Sequence, residues 1–75
     1  MESKLRAKLN EITKSEMTHD EIYDNIYDYM SYLRGSSLDV REFKVETKQL
    51  KSKSEFITVA WVDSLGELHI FGEEL

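Results

Sequence analysis

Apolar residues recur at helical spacing in the first part of the chain. Leu5, Leu9 and Ile12 follow an i, i+4, i+7 pattern, which places them on one stripe of a helix. This pattern predicts a first helix over about residues 2–14. The end of this helix is poorly marked, because no glycine follows Lys14, and we expect residues 15–16 to form a tight connection to the next element.

A second predicted helix carries signals for both of its ends. Thr18 and Glu21 are spaced as a capping box, in which each side chain accepts a backbone N–H of the other residue. Arg34 suits the negative end of the helix dipole, and Gly35 fits the left-handed position that commonly ends a helix. The apolar stripe consists of Ile22, Ile26, Met30 and Leu33, with Tyr29 beside it. Because the connection is short, the two helices should form an antiparallel hairpin.

Three segments with strand character follow. Residues 41–49 alternate between apolar and polar, residues 56–62 are apolar on both faces, and residues 67–71 form a shorter third segment. Residues 72–75 are expected to fray. The chain is therefore predicted to be a single α+β domain over residues 1–75, with an N-terminal antiparallel helical hairpin packed on a three-stranded antiparallel β-meander (ααβββ).

The turn between the second and third strands sets their register. Residues 63–66 are typical of a type I turn followed by Gly66 in the left-handed conformation, which gives a three-residue hairpin loop. The resulting pairing separates two sets of residues on opposite faces of the sheet. One face carries Ala60, Val62, Leu68 and Ile70, and the other carries Ile57, Val59, Trp61, His69 and Phe71.

The first strand can pair in either of two registers, because the polar turn at residues 51–54 allows two loop lengths. In one register Phe43 and Val45 join the Ala60 set beneath the helices. The outer face then offers a candidate second interface formed by Trp61, His69 and Phe71. In the other register Trp61 is inside, which is the commoner place for a sole tryptophan, and the outer residues are Thr58, Ala60, Leu68 and Ile70. Two helices cannot cover both faces of one small sheet, so either register leaves apolar area for self-association or a partner.

Charge alternates along the chain in four blocks. Basic residues dominate residues 4–14 and 41–53, whereas residues 16–32 and 55–75 each contain five acidic residues and no lysine or arginine. The formal net charge of −5 disfavours general nucleic-acid binding, because neutralising phosphates supplies most of that affinity. The blocks are explained either by charge balance between neighbouring elements or by an acidic surface that serves a partner.

Three aspartates on the second helix form the strongest candidate binding surface. Asp20, Asp24 and Asp28 lie one turn apart, and like charges at this spacing destabilise a helix by roughly 0.2–0.5 kcal/mol per pair. Tyr23 and Tyr27 flank the row, and tyrosine is enriched at protein interfaces. We therefore predict that this helix docks on a basic surface, with the aspartates steering and the tyrosines supplying contact area.

The sequence offers little reaction chemistry. It contains no cysteine, which excludes disulfides and favours a cytoplasmic location, and it has no apolar run long enough to span a bilayer. His19 with Asp20 or Glu16 could ligate a metal, but a zinc site needs three or four convergent ligands. Neither a glycine-rich phosphate loop nor a nucleophile turn occurs in the sequence. We therefore expect no enzymatic activity, cofactor, metal or membrane contact.

The combined prediction is a small acidic, cytoplasmic binding protein without catalytic activity. Its size and charge suit a regulator or inhibitor of the phage-type or DNA-mimic kind. One alternative is a homodimeric structural or assembly protein that associates through the outer face of the sheet. A second alternative is a weak nucleic-acid binder that uses Lys48, Lys51 and Lys53 in the first hairpin turn, although such lysines more often serve to block aggregation.

Overall fold

The computed structural model describes residues 2–75, with side chains from residue 4 onward. It confirms the predicted α+β arrangement of two helices followed by a three-stranded antiparallel sheet of order β1-β2-β3. Within the described chain neither helix has the length and apolar character that crossing a bilayer requires. The elements are α1 (Glu2–Thr13), α2 (His19–Ser36), β1 (Glu42–Gln49), β2 (Glu55–Val62) and β3 (Leu68–Glu74).

The start of α2 is capped as predicted, whereas its end differs from the prediction. The hydroxyl of Thr18 accepts the Glu21 N–H at 3.2 Å, and the Glu21 carboxylate accepts the Thr18 N–H at 3.1 Å. Gly35 does not adopt a left-handed conformation, and the helix continues through it to Ser36. The Ser37 N–H still donates to the Leu33 carbonyl at 2.8 Å, so an ordinary helical bond satisfies this end without a glycine cap.

The β2–β3 hairpin has the predicted register and turn. Val62 pairs with Leu68, and Ala60 pairs with Ile70. The Asp63 N–H donates to the Glu67 carbonyl at 3.0 Å, and Gly66 has a φ of 82°. A left-handed residue is needed here because it closes the three-residue loop while matching the twist of the two strands.

The register of β1 decides which face of the sheet meets the helices. Phe43 pairs with Trp61, and Trp61 pairs with His69, so these three side chains share one face. That face is the inner one, because Trp61 is only 1% exposed. The set Trp61, His69 and Phe71 is therefore not an outer interface, and the chain adopts the register with Trp61 inside. The residues of β2 that this register buries, Ile57, Val59 and Trp61, are together larger than Thr58, Ala60 and Val62 on the outer face, so the register buries more apolar area.

The core lies between the sheet and the two helices, with α2 packed against β1 and α1 against β3. Both helices present their predicted stripes to it. It extends to Val40 in the segment that joins α2 to β1. The buried apolar residues are Leu5, Leu9, Ile12, Ile22, Ile26, Met30, Val40, Val45, Ile57, Val59 and Trp61.

The end of the chain is ordered by the sheet, so the prediction that residues 72–75 fray is wrong. Strand β3 continues to Glu74, and the Leu75 N–H donates to the Glu55 carbonyl at 2.7 Å. The ring of Phe56 lies 2.8 Å from the place where a Cβ on Gly72 would stand. An aromatic ring can cover the strand at Gly72 because glycine has no side chain, and this contact compensates for the weak strand preference of glycine.

Candidate binding surfaces

The three aspartates of α2 lie on the face of the helix opposite the core. Asp20, Asp24 and Asp28 are all exposed. Over residues 4–75, none of their carboxylates takes part in an ion pair. The row therefore presents uncompensated negative charge to the solvent, at one charge per about 6 Å along the helix axis.

Two basic side chains, Arg34 and Lys44, pair with acidic residues outside the row. Arg34 Nη1 donates to Glu42 Oε1 at 3.0 Å, and this hydrogen bond is the main reason that the pKa of Glu42 is lowered. Lys44 Nζ lies 2.9 Å from Glu46 Oε1, a contact that raises the pKa of the lysine. The charge of β1 is thus balanced within the strand and with the end of α2, whereas the acidic row is not balanced in this way.

The two tyrosines connect the acidic helix to the sheet. The rings of Tyr23 and Tyr27 stack with centroids 6.2 Å apart, and the Tyr27 ring meets Phe43 edge-on at 5.2 Å. The Tyr23 hydroxyl donates to the Val45 carbonyl at 3.4 Å. Tyr23 is half-buried in this seam and Tyr27 is exposed beside the acidic row. Of the two, Tyr27 is therefore the one that offers contact area to a partner.

The lysine-rich turn between β1 and β2 is tight and exposed. The Leu50 N–H donates to the Ser54 carbonyl at 2.8 Å, and the Lys53 N–H donates to the Leu50 carbonyl at 2.9 Å. Lys53 has a φ of 71°, an uncommon conformation for a residue with a side chain. Lys48, Lys51 and Lys53 are all exposed around this turn. They concentrate positive charge at this end of the sheet, where Lys48 pairs with Phe56 across the two strands.

His19 does not join a cluster with its neighbours in sequence. Its Nδ1 atom lies 3.0 Å from Glu55 Oε1, at the start of β2. This contact ties the first turn of α2 to the sheet. The sequence placed His19 with Asp20 or Glu16 as a conceivable ligand pair, and the structure gives it a different acidic partner.

A second histidine forms a contact that the sequence did not reveal. His69 Nε2 lies 2.9 Å from Asp63 Oδ2, while Asp63 Oδ1 accepts the N–H groups of Leu65 and Glu67 at 2.9 Å and 3.0 Å. The His69 hydrogen bond, followed by that of the Glu67 N–H, lowers the pKa of Asp63. The register of the hairpin explains this contact. When residue 63 pairs with residue 67, residue 69 lies diagonally across from residue 63 on the same face of the two strands.

The atoms of Asp63, Glu67 and His69 that could bind a metal lie within 4.8 Å of one another. The contacts of Asp63 stabilise the β2–β3 loop, because both of its carboxylate oxygens accept hydrogen bonds. The bond from the Leu65 N–H to Asp63 is that of an Asx turn, a common local device in loops, and His69 adds a further contact to the same carboxylate.

An open concavity of about 610 Å³ lies where α1, the end of α2 and the following loop meet. Its wall includes Leu5, Tyr29, Leu38 and Asp39. Desolvation raises the pKa of the Tyr29 phenol, and the nearby charge of Asp39 raises it further. The phenol thus forms part of the wall of this concavity, beside Asp39.

Comparisons of the chain with protein-family models, with curated proteins and with solved structures found no match.

Proposed function

We propose that this protein is a non-catalytic binding protein that docks, through the acidic face of α2, on a basic surface of another macromolecule. The observation that carries the proposal is the uncompensated row of Asp20, Asp24 and Asp28, none of which has an ion-pair partner within residues 4–75. Regulation or inhibition by covering the partner's surface is the corresponding role.

The row is unfavourable for the free protein, which supports a role in binding. Two like-charge pairs at one-turn spacing oppose the helix by about 0.4–1 kcal/mol together. The attraction of a positively charged partner would offset the repulsion between the aspartates. It would also speed association through long-range steering. Tyr27 lies beside the row and adds an amphipathic ring that can be buried on contact.

The charge density of the row favours a basic protein surface as the partner. The row carries one charge per about 6 Å, whereas one strand of DNA carries one per about 3.4 Å. Three aspartates therefore reproduce a phosphate backbone at about half its density. A patch of lysines and arginines that normally contacts nucleic acid is one surface that such a row can cover, which is the sense in which a DNA-mimic role is proposed.

The experiment compares two variants of equal net charge. In the test variant Asp20, Asp24 and Asp28 become lysine, and in the control variant the exposed Glu11, Glu16 and Glu67 become lysine. Three reversals take the formal charge from −5 to +1 in both chains. Each chain is immobilised, and proteins captured from a lysate at low salt are quantified by mass spectrometry.

We expect the wild-type and control chains to capture a set of basic proteins that the test variant does not capture. These proteins should elute as the salt concentration is raised. Binding of each purified candidate is then titrated against all three chains. If the test variant and the control captured the same proteins equally well, the position of the three reversed charges would not matter. The proposal that the acidic face of α2 binds the partner would then be wrong.

A further inference from the structure

The outer face of the sheet is the second unusual surface of the molecule. Leu68 and Ile70 on β3 point away from the helices and are 63% and 56% exposed. Over residues 4–75 both helices pack on the opposite face and leave these two side chains exposed. The neighbouring residues of β2 on this face are Thr58, Ala60 and Val62.

This face combines a projection with a depression. An open concavity of about 400 Å³ lies over β1, β2 and the start of β3, and its lining is largely apolar. Ala60 contributes to it between Lys44 and Ile70, its partners in the two ladders, and its methyl group fills little of the space. Leu68 borders the same depression and stands out from the face. A surface with both shapes can fit a copy of itself, which is the condition for a two-fold interface.

The charges along the border of this face are also suited to self-association. Outward positions of β1 alternate in sign, because Glu42, Lys44, Glu46 and Lys48 follow one another on the same face. Glu42, Lys44 and Glu46 already have ion-pair partners in the same chain, and a two-fold axis can exchange these exposed pairs between two copies without leaving a charge unpaired. The acidic face of α2 cannot pair with itself in this way, since it carries a single sign.

The edges of the sheet are less suited to self-association than its face. On β3, Arg6 Nη1 donates to the Ile70 carbonyl at 3.0 Å. On β1, the Tyr23 hydroxyl donates to the Val45 carbonyl, and the Phe43 N–H donates to Glu42 Oε1. Side chains thus occupy backbone groups on both outer strands, and this is a known way to prevent strands from pairing edge to edge.

We infer that a second copy of this chain packs on the outer face of the sheet, with Leu68 and Ile70 of each copy set against the depression over Ala60 of the other. Three strands about 4.8 Å apart and three outward residues along each strand give roughly 300 Å² of flat area per copy. The two copies together would cover about 600 Å², half of the roughly 1,200 Å² at which stable specific interfaces begin, so only a weak complex is expected. The dimer should therefore form at high concentration and dissociate at low micromolar concentration.

The inference is tested by sedimentation velocity and by ¹H–¹⁵N spectra recorded from low micromolar to millimolar protein. We expect the mass to rise towards that of a dimer and the shifts that change with concentration to map to residues 58–62 and 68–70. The double variant Leu68→Thr, Ile70→Thr keeps strand-forming residues but removes the apolar surface. It should weaken association by roughly tenfold or more, which corresponds to about 1.4 kcal/mol.

The control is Leu38→Thr, since Leu38 is 79% exposed but lies in the loop after α2. This variant should associate like the wild type. The inference is overturned by a wild-type chain that stays monomeric at millimolar concentration, or by association that survives the double variant. Outer-face shifts that change on adding detergent micelles to a monomeric chain would assign the face to lipid and would equally overturn it. If the double variant fails to fold, the concentration-dependent shifts of the wild type alone test whether the outer face associates. None of these outcomes tests the proposed binding through the acidic face of α2.

Discussion

Trp61 and His69 lie directly opposite each other on β2 and β3, and their rings stack with centroids 5.5 Å apart and planes 18° from parallel. The guanidinium of Arg6, on α1, lies 5.3 Å from the centroid of the Trp61 ring. The Nε2 atom of the same histidine forms a 2.9 Å hydrogen bond with Asp63 Oδ2. One set of contacts therefore joins the first helix, the centre of the sheet and the β2–β3 loop.

The Asp63–His69 contact predicts a specific dependence of stability on pH. The pKa of Asp63 is lower in the folded protein than the ordinary value of about 4. As the pH falls, the unfolded chain binds the proton first, so the stabilisation is complete above about pH 4 and is lost as the pH falls through the folded pKa. Asp63→Asn should lower the melting temperature at neutral pH and reduce the loss of stability on acidification.

Melting of the wild type and of Asp63→Asn is followed between neutral and strongly acidic pH by the fluorescence of Trp61, the sole tryptophan. Other carboxyls titrate in the same range, including Glu21 and Glu42, whose pKa values are also lowered. The difference between the two curves isolates Asp63 from them. Parallel curves over the whole range would contradict the assigned role of this carboxylate.

The register of the sheet predicts that two isoleucines respond differently to the same substitution. Ile57 is 0% exposed on the inner face of β2, and Ile70 lies on the outer face of β3. Ile57→Val should lower the free energy of unfolding by about 0.5–1.5 kcal/mol, whereas Ile70→Val should change it little. Urea denaturation at low protein concentration measures both. A larger effect at Ile70 would mean that the other face meets the helices.

The capping box predicts a loss of stability at Thr18. Thr18→Ala removes the oxygen that accepts the Glu21 N–H and should lower the free energy of unfolding by about 1 kcal/mol. Thr18→Ser keeps this oxygen and serves as the control. Equal urea midpoints for the alanine and serine variants would show that the hydroxyl does not stabilise the start of α2.

The acidic row predicts a gain of stability when its central charge is removed. Asp24 is one turn from both Asp20 and Asp28, so Asp24→Asn removes two like-charge pairs and should raise the free energy of unfolding by about 0.4–1 kcal/mol at low salt. The gain should shrink in high salt because exposed charges are screened. A control is Glu11→Gln, which removes a carboxylate 3.9 Å from the Lys8 ammonium and should give no gain. A loss of stability in Asp24→Asn would mean that the folded protein compensates this charge.

The parts of the fold that were predicted correctly depend on contacts between residues close in sequence. The Thr18–Glu21 box spans one helical turn, and the loop at residues 63–66 fixes the pairing of Val62 with Leu68. The position of the acidic row follows in the same way from helical spacing. Interactions of this kind join residues only a few positions apart, so the local sequence pattern is sufficient to predict them.

One error arose where a distant segment supplied the missing contact. Residues 72–75 carry weak strand signals, yet Leu75 is held by the Glu55 carbonyl across the sheet. Val40, in the segment between α2 and β1 for which no element was predicted, is likewise buried in the core. The error at Gly35 has a local cause: glycine often ends a helix, but here an ordinary helical bond from the Ser37 N–H to the Leu33 carbonyl continues the turn.

The sequence by itself determined the order of the elements, the start of α2, the β2–β3 register and the acidic row, because each depends on helical or strand periodicity and local turn chemistry. Only the tertiary structure decided which face of the sheet lies under the helices. Strand β2 is apolar on both faces, and the turn after β1 tolerates two registers, so local preferences are nearly balanced. Packing Trp61 between the helices and the sheet breaks that balance, and it leaves Leu68 and Ile70 on the outside.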